Sequence, residues 1–487
     1  MSTCAFSPPA LKSKETARIV IIGAGPAGIA AATRLLEQGF KNVRILEAEN
    51  RIGGRINSIR FADSIVDLGA QWCHGEAGNV VYERCKDLNV LQRTEGFAKA
   101  WRFVRSDKAQ LSEEALYSLQ KIAEDIIPDE TVPPLDYSWG DYLTQRYWQE
   151  VDKLPNVDRA LARELFENFK NFQCSIEGSD HLFEVSGRSH HEFVESKGDM
   201  DIHWCDKGYK TFLRVLMNSK QDEPNDLGVL NGRVELSKRI AQINWEGAQE
   251  LQLRCWNGEL LQADHVICTV SLGVLKEQHE KLFVPALPEA KVRAINALKL
   301  GTVNKFLLEY GSEQPMPKDW PSVNFLWSEQ DLQELRGSKR FWLESVGYFH
   351  IVICQPRLLE GWIIGEHARH METLPEEEVL EGLQWLFRRC LPFDMPQPVR
   401  FLRTQWHSNP NFRGSYSYRT TQADAVRTGP WDLEAPLVDA VGKPRLLFAG
   451  EASSKTHYST VHGATETGWR EADRLNAYYT RDSKPTA

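Results

Sequence analysis

Three glycines near the start of the chain have the spacing that holds the phosphates of a dinucleotide. Residues 18–28 read Arg-Ile-Val-Ile-Ile-Gly-Ala-Gly-Pro-Ala-Gly, an apolar strand followed by the turn Gly23-x-Gly25-x-x-Gly28 and the start of a helix. In such a turn the first glycine permits the tight bend, the second lets backbone N–H groups approach a pyrophosphate, and the third lets the helix pack on the strand. The helix amino terminus then faces the anion. The pattern predicts a dinucleotide site; the alternative is a glycine-rich turn that merely joins a strand to a helix.

A carboxylate follows where this kind of site requires one. Glu47 ends the second predicted strand, about 20 residues after the glycine turn, and can accept hydrogen bonds from a ribose. Because a carboxylate repels a 2′-phosphate, NADP is disfavoured. Residues 51–55 then supply Gly53, Gly54 and Arg55, so that more backbone and a guanidinium fork can reach phosphate oxygens. This additional contact favours FAD, which is longer, over NAD.

The composition excludes several classes of protein. A chain of 487 residues exceeds what one core usually holds, so two domains or one interleaved pair are expected. The formal net charge of -9 argues against nucleic-acid and anionic-membrane partners and is compatible with cationic ligands. The nine cysteines are scattered without a C-x-x-C pair, so we expect neither a metal site nor a disulfide framework. With no signal peptide, membrane span or peroxisomal tripeptide in the sequence, we predict a soluble cytoplasmic protein of undetermined oligomeric state.

The chain alternates between two kinds of sequence, which predicts two interleaved domains after a flexible leader at residues 1–16. Short apolar strands and glycine turns assign 17–78, 204–295 and 411–480 to an FAD-binding domain, whereas 79–203 and 296–410 read as a substrate-binding domain. The main predicted elements are strands at 61–68, 299–310, 361–365 and 444–451 and helices at 375–390 and 463–479.

Motifs along nearly the whole chain point to one family. They are Gly23-x-Gly25-x-x-Gly28, Glu47, Gly53-Gly54-Arg55, Leu-Gly-Ala-Gln-Trp-Cys-His-Gly at 68–75, Gly-Thr-Val-Asn-Lys at 301–305, Trp-His-Ser-Asn-Pro at 406–410, Arg-Gly-Ser-Tyr-Ser-Tyr at 413–418, Phe-Ala-Gly-Glu at 448–451 and His-Tyr-Ser-Thr-Val-His-Gly-Ala at 457–464. This ordered set resembles the flavin-containing amine oxidases, and within them the animal polyamine oxidases of the spermine and N1-acetylpolyamine types.

The resemblance implies an α/β plus α+β fold, in which a Rossmann-like FAD-binding domain of the glutathione-reductase type is interleaved with a mixed-sheet and helical substrate domain. It implies FAD bound without a covalent link, because Ser415 stands where monoamine oxidases carry the flavin-linking cysteine. The residues implied to hold FAD are Gly23, Gly25, Ala27, Gly28, Glu47, Gly53, Gly54, Arg55, Gly69, Ala70, Gln71, Trp72, Val234 in the adenine region, Trp406, Gly450, Glu451, Thr460, Val461 and Ala464.

The same resemblance implies roles in catalysis and substrate binding. Lys305 is similar to the family lysine that holds a water at flavin N5, where it assists imine hydrolysis or reoxidation by dioxygen. His74 is implied to hydrogen-bond an inner substrate nitrogen or take a proton, with a structural histidine as the alternative. Further substrate contacts are implied for Trp72, Tyr416 and Thr460, with Glu184 and Ser186 meeting a distal ammonium. Gln71 and Cys73 depart from the threonine and isoleucine of close animal relatives, which leaves the pocket shape open.

The hypothesis from the sequence is an FAD-dependent polyamine oxidase. It oxidises a carbon beside a secondary amine of spermine or N1-acetylspermine and gives spermidine, an aminopropanal and hydrogen peroxide, with dioxygen as acceptor. Glu184 and Ser186 favour spermine, whereas residues 406–408 and 468–474 look closer to the acetylpolyamine type, so both substrates stay open. One alternative is a flavin-type histone lysine demethylase, disfavoured because no long amphipathic helical insertion occurs. The other is a non-catalytic FAD-fold binding protein, which would not need Lys305, Trp406 and Tyr416 together.

Overall fold

The computed structural model of the chain describes residues 12–94, 101–128, 135–220, 223, 225–246, 250–312, 322–353 and 355–481. The strands are β1 (Arg18–Ile22), β2 (Asn42–Leu46), β3 (Ser58–Phe61), β4 (Ser64–Asp67), β5 (Trp101–Arg105), β6 (Val234–Glu235), β7 (Ile240–Asn244), β8 (Leu251–Cys255), β9 (Leu260–Ala263), β10 (His265–Cys268), β11 (Phe283–Val284), β12 (Lys299–Leu300), β13 (Val303–Tyr310), β14 (Ser322–Leu326), β15 (Val346–Ile351), β16 (Leu358–Ile364), β17 (Pro398–Arg403), β18 (Ser417–Tyr418), β19 (Leu437–Val438) and β20 (Pro444–Phe448). The helices are α1 (Pro26–Glu37), α2 (Val80–Cys85), α3 (Glu113–Asp125), α4 (Trp139–Val151), α5 (Arg159–Glu177), α6 (Ser189–Glu192), α7 (Lys210–Met217), α8 (Leu272–Leu282), α9 (Glu289–Ala297), α10 (Glu329–Arg336), α11 (Gly365–Thr373), α12 (Glu376–Cys390), α13 (Thr421–Ala425), α14 (Pro430–Glu434) and α15 (Val461–Arg481).

A six-stranded sheet in the order β19-β20-β10-β1-β2-β6 carries the amino-terminal glycine turn. Its inner strands run parallel, and only the edge strand β19 is antiparallel. The side chains of β1 after Arg18 are buried and belong to clusters on both faces of the sheet, as expected of a covered parallel sheet. Because parallel strands end at the same edge, the segments that follow β1, β2, β10 and β20 meet there and place Gly23, Glu47, Thr269 and Gly450 side by side.

Helices α1 and α15 pack against each other beside this sheet, and two glycines make that packing possible. A Cβ on Gly468 would lie 2.2 Å from the Ala27 carbonyl oxygen, and one on Gly28 would lie 2.0 Å from the Gly23 carbonyl oxygen. No side chain fits at either position. The glycines therefore fix how closely α1 approaches its strand and its partner helix.

The second large sheet, in the order β17-β13-β16-β15-β14-β5, is mostly antiparallel and holds Lys305 on its fully buried strand β13. Phe306, Leu308 and Tyr310 pack into the apolar cluster that includes α12, while Val303 belongs to the cluster that includes α4 and α5. Because side chains alternate along a strand, Lys305 faces away from the α12 cluster.

The structure contains the mixture of sheets and helices that the predicted fold class requires, with the two large sheets built from interleaved parts of the chain. The predicted domain boundaries stay a prediction. The strands and helices predicted near 444–451, 375–390 and 463–479 appear as β20, α12 and α15, and the strand predicted at 361–365 begins earlier, as β16.

Two predicted strands are wrong in detail, and the leader is only partly described. Residues 61–68 are not one strand, because the chain turns at Ala62 (φ 54°) and forms the hairpin β3–β4. The strand predicted at 299–310 is interrupted: β12 pairs with β18, and β13 joins the large sheet. Residues 1–11 of the leader lie outside the described residues, whereas Lys12 is held by Asp264 at 2.9 Å. Within the described ranges, no helix combines the length and apolar character needed to cross a membrane.

Candidate active site

A cavity of about 1600 Å³ is lined by residues of both large sheets and of the helical segment α3–α6. Pockets for a single small molecule are usually roughly 300–1,000 Å³. The cavity therefore has room for an extended ligand and a second molecule beside it.

One end of the cavity is formed by two glycine loops that pack on each other. Gly23 (φ 105°) and Gly54 (φ 59°) adopt backbone angles that favour glycine, and a Cβ on Gly54 would lie 3.3 Å from the Gly25 Cα. Gly25 caps the amino terminus of α1 without a side-chain hydrogen bond, so the first N–H groups of that helix are open to a ligand. Of the predicted set, Gly23, Gly25, Ala27 and Gly54 line the cavity.

Gly28 and Gly53 were also predicted to contact the cofactor, but neither lines the cavity. Gly28 packs against the Gly23 carbonyl, and the Gly53 N–H donates to the Ala24 carbonyl at 2.8 Å. They shape the loops and do not form the cavity wall.

The Glu47 carboxylate lies beside these loops, as predicted. It accepts hydrogen bonds from the backbone N–H groups of Ala24 at 2.6 Å and Glu49 at 2.8 Å. Burial raises the pKa of Glu47, and the two backbone donors oppose that rise. The carboxylate is therefore held in a fixed position at the cavity, with further lone pairs open to a ligand hydroxyl.

The structure does not place Val234, the predicted adenine contact, in the cavity wall. Val234 lies in the edge strand β6, where it pairs with Ile45, and it does not line the cavity. Lys238, Arg239 and Ile240 line it instead. The sequence could have indicated these residues, because the segment that follows β6 passes the same edge of the sheet as Glu47.

A pair of charged side chains, Arg55 and Glu451, forms the next part of the wall. Arg55 Nη1 donates to Glu451 Oε1 at 2.8 Å and to the Ser415 carbonyl at 2.7 Å. The other Glu451 oxygen accepts from the Ser417 hydroxyl at 2.6 Å and from the Ser459 N–H at 2.9 Å. Because Glu451 is fully engaged, it orients Arg55, whose remaining N–H groups make no bond to a described residue.

The amino terminus of α15 also faces the cavity. The Thr460 hydroxyl caps this helix by accepting the Gly463 N–H at 3.0 Å, and Val461 and Ala464 line the wall together with Gly450. Two helix amino termini, those of α1 and α15, therefore meet at one cavity, which favours an anionic group between them.

Lys305 lies at the other side, buried to 4% exposure. Its Nζ donates to the Asp67 carbonyl at 2.9 Å and to the Gln71 side-chain oxygen, and it lies 3.8 Å from Glu360 Oε1. Burial lowers the pKa of Lys305, while the charges of Glu360 and Asp67 raise it. Burial also raises the pKa of the Asp67 carboxyl to about 6.

Sequence reasoning missed Glu360. Lys305 pairs with Trp362 across β13 and β16, so Glu360 is a diagonal neighbour on the same face. Its carboxylate accepts the Trp362 indole N–H at 2.7 Å. Knowing the strand register would have been enough to find it.

Aromatic rings surround the Lys305 ammonium. The rings of Trp72 and Trp362 stack at 5.3 Å between centroids, and their centroids lie 5.9 and 5.2 Å from the ammonium. Next to them, His74 Nδ1 hydrogen-bonds the Met200 carbonyl at 2.7 Å. A carbonyl accepts only from N–H, so in the neutral imidazole His74 Nε2 is an acceptor.

Trp406 and Tyr416 also line the cavity. Trp406 packs against Gly69, whose added Cβ would lie 3.2 Å from the indole. The Tyr416 ring lies against Gly178, and its hydroxyl donates to the Ser175 carbonyl. The other predicted residues that line the same cavity are Gly69, Ala70, Gln71, Trp72, His74, Thr460 and Glu451.

Glu184 and Ser186 do not line the cavity, so the structure does not bring them together with the other predicted site residues. Glu184 Oε2 accepts from Lys299 Nζ at 2.6 Å on a partly exposed surface. Ser186 is fully buried, where its hydroxyl donates to Asp424 at 2.5 Å and accepts the Ser189 N–H at 3.2 Å. A different carboxylate, Glu177, lines the cavity and was missed.

The pattern of one protein family, described as flavin containing amine oxidoreductase, matches residues 26–476. The chain belongs to this family. It is 32% identical to the human peroxisomal N(1)-acetyl-spermine/spermidine oxidase over 94% of each chain, and 27% identical to a probable polyamine oxidase 5 of Arabidopsis thaliana over 96% of this chain and 99% of that protein. A solved structure of a putrescine oxidase variant redesigned for cofactor binding superposes with a TM-score of 0.65 at 18% identity, covering 95% of this chain and 99% of that one. This confirms the predicted fold class.

The protein is therefore an FAD-dependent amine oxidoreductase, and its residues fit that cofactor. The open N–H groups at the amino termini of α1 and α15 and the unused donors of Arg55 suit a pyrophosphate. The Glu47 carboxylate suits a ribose. Gly54 lets its loop pack closely on the glycine turn at Gly25, since a Cβ on Gly54 would lie 3.3 Å from the Gly25 Cα.

Proposed function

We propose that the protein oxidises a polyamine, spermine or N1-acetylspermine, at a carbon beside a secondary amine. Water and dioxygen are consumed, and the products are spermidine, 3-aminopropanal or its N-acetyl form, and hydrogen peroxide. The observation that carries this proposal is the cavity, in which a buried Lys305 and an aromatic wall adjoin the nucleotide end. The names of the polyamine oxidases to which the chain is similar support the same substrate class.

The charge distribution along the cavity suits a polycation. The lining cations other than Lys305 are Arg55, Lys238 and Arg239, at the nucleotide end. The part lined by α3, α5 and residues 193–201 carries carboxylates, namely Glu124, Glu177, Glu195 and Asp201. A substrate with several ammonium groups is attracted to that part of the cavity.

The flavin, when bound, supplies the two-electron oxidation that no side chain can perform. The protein must present the reacting nitrogen in its neutral form, although free amines resemble lysine with a pKa of about 10.4. The rings of Trp72, Trp362 and Tyr416 exclude water and so disfavour the ammonium form. We assign to His74 Nε2, which the Nδ1 hydrogen bond leaves as an acceptor, the role of taking the proton.

Lys305 has a donor to spare for a water molecule. An ammonium has three N–H groups. Two of those of Lys305 donate to the Asp67 carbonyl and to Gln71, and Glu360 at 3.8 Å is beyond hydrogen-bond distance. The third N–H can hold a water for imine hydrolysis or donate to reduced oxygen. We also propose that FAD is held without a covalent link, because the Ser415 hydroxyl is occupied in bonding Val303 at 2.9 Å and offers no thiol.

Anaerobic mixing tests the proposed reaction. Spermine or N1-acetylspermine should bleach the oxidised flavin absorbance, whereas putrescine, a diamine without a secondary amine, should not. Bleaching by putrescine at the same rate would contradict the requirement for a secondary amine. Bleaching only by a methyl-lysine histone peptide would support the demethylase alternative. Acid precipitation should release all the flavin into solution.

We further propose a cytoplasmic location, which rests on the scattered cysteines without a disulfide pattern. Cell fractionation with a peroxisomal marker tests it.

A further inference from the structure

Glu177 is a carboxylate in the cavity wall that lacks any partner among the described residues. It is the last residue of α5, and its side chain lines the cavity. No hydrogen bond or ion pair to another described residue reaches it, in contrast to Glu47 and Glu451, whose oxygens are engaged. A carboxylate enclosed by protein without a counter-charge is costly, so its presence calls for a cation supplied by a ligand.

We propose that Glu177 is the anchor for a primary ammonium group of the substrate. The inference rests on the proposed polyamine oxidation and deepens it. It names the side chain that recognises a charged nitrogen away from the one being oxidised, and it assigns to Glu177 the role that the sequence suggested for Glu184.

The end of α5 is held in place against the aromatic wall. Gly178 (φ 70°) closes the helix directly under the Tyr416 ring, and the Tyr416 hydroxyl donates to the Ser175 carbonyl. A Cβ on Gly301 would lie 1.5 Å from the Gly178 carbonyl oxygen, so this turn also packs tightly against the start of β13. The backbone of Glu177 is thus held in place beside the Tyr416 ring.

The position at a helix carboxyl terminus favours a bound cation. The negative end of the α5 dipole disfavours the charge of Glu177 but attracts an ammonium. The helix terminus and the carboxylate therefore both favour a bound cation. Consistently, burial raises the pKa of Glu177 to about 7, and no cation of the described ranges opposes the rise. Its charge in turn contributes to raising the pKa values of Tyr416 and Tyr458, which shows that both phenols lie near it.

Two phenols lie near Glu177, and neither of them titrates near neutrality. The phenols of Tyr416 and Tyr458 stay neutral because burial raises their pKa values. From α6, His190 and His191 line the same cavity, and burial lowers the pKa of His190 to about 4. Binding of a diammonium ligand at this position should therefore strengthen as pH rises through 7.

The test measures binding of 1,8-diaminooctane to the anaerobic holoenzyme, read from the change in flavin absorption. Both ammonium groups of this probe stay protonated from pH 6 to pH 8. In the wild type, we expect affinity to fall about tenfold from pH 8 to pH 6 as Glu177 takes up a proton. In Glu177→Gln, we expect binding at pH 8 to be about 10- to 100-fold weaker, as for the loss of a charge-assisted bond, and independent of pH.

Two further carboxylate variants serve as comparisons. Glu167→Gln changes an exposed carboxylate of the same helix, which pairs with Lys170 at 2.9 Å, and should bind the probe like the wild type. Glu184→Gln tests the position suggested by the sequence, and a loss there with none in Glu177→Gln would overturn the proposal. If Glu177→Gln does not fold, Glu177→Asp keeps the charge and should retain the pH dependence; a flat profile in that variant would also overturn it.

The outcome is separable from the proposed function. A wild-type enzyme that no polyamine bleaches would refute the proposed reaction. A wild-type enzyme that spermine bleaches, together with Glu177→Gln binding the diamine as tightly as the wild type at both pH values, would refute only the anchor.

Discussion

Replacing Glu360 with Gln should make Lys305 lose its proton at a lower pH. The two charges are 3.8 Å apart, and the Coulomb energy at that distance with an effective dielectric constant of about 20 is about 4 kcal/mol, equivalent to about three pKa units. Because glutamine keeps the hydrogen bond to the Trp362 indole and nearly the same volume, the charge is the main change. Allowing for water that enters near the site, we expect the pKa of Lys305 to fall by about one to three units.

The measurement is the rate at which oxygen reoxidises the pre-reduced enzyme between pH 6 and pH 10. If protonated Lys305 serves this step, the reoxidation rate of the wild type decreases at high pH. This decrease should begin at lower pH in Glu360→Gln and disappear in Lys305→Met. His350, also near Glu360, does not interfere, since burial lowers its pKa to about 4. Glu309→Gln is the control, because Glu309 is a buried carboxylate on β13, the strand of Lys305, and pairs with Arg400 at 3.2 Å. Superimposable profiles for the wild type and Glu360→Gln would refute the coupling.

Two further predictions concern folding and cofactor retention. Gly28→Ala should lose FAD and at least about 1–3 kcal/mol of stability, because its Cβ would lie 2.0 Å from the Gly23 carbonyl oxygen. Gly347→Ala is the control and should keep its FAD and its stability, because no atom lies within 4 Å of the new Cβ. Equal flavin content in the two variants would contradict the prediction. Burial lowers the pKa of His265 to about 3 and that of His350 to about 4, whereas histidines of the unfolded chain keep the ordinary pKa of about 6.5. Below about pH 6.5, the unfolded chain therefore binds protons that the folded chain does not bind. Denaturant unfolding should therefore show stability falling from pH 6.5 towards 4, by up to about 1.4 kcal/mol per pH unit for each histidine, and less steeply in His265→Gln.

The nucleotide end of the site was predictable from the sequence because its parts are local. A strand, a glycine turn and a helix fix one another within residues 18–28, and Glu47 follows at a set distance. Their convergence follows from one topological fact, that β1, β2, β10 and β20 run parallel and end at one edge. Val234 shows the limit of this reasoning. Its strand β6 ends at Glu235, and the residues of this segment that line the cavity, Lys238, Arg239 and Ile240, come only after the chain has left that strand.

The partners of buried charges could not be predicted, because they depend on register and on contacts between distant parts of the chain. Glu360 reaches Lys305 only through the pairing of Lys305 with Trp362, and a slip of one residue would turn it to the other face. Nothing near Glu184 in the sequence indicates Lys299, its ion-pair partner 115 residues away. A carboxylate in a charged segment therefore carries no information about whether its charge is already neutralised.

That distinction explains why Glu177 is a better candidate for substrate recognition than Glu184. A carboxylate that already holds a lysine has to give up that ion pair before it can bind an ammonium, so the net gain is small. Glu177 has no such partner to lose in the part of the chain that the structure describes, and burial has already imposed the cost of keeping it near the cavity. An ammonium bound at that position would offset this cost, so we expect binding there to favour a charged nitrogen. A neutral acetamide end offers no such release at the same position, so occupancy of this subsite should distinguish a free ammonium from its acetylated form.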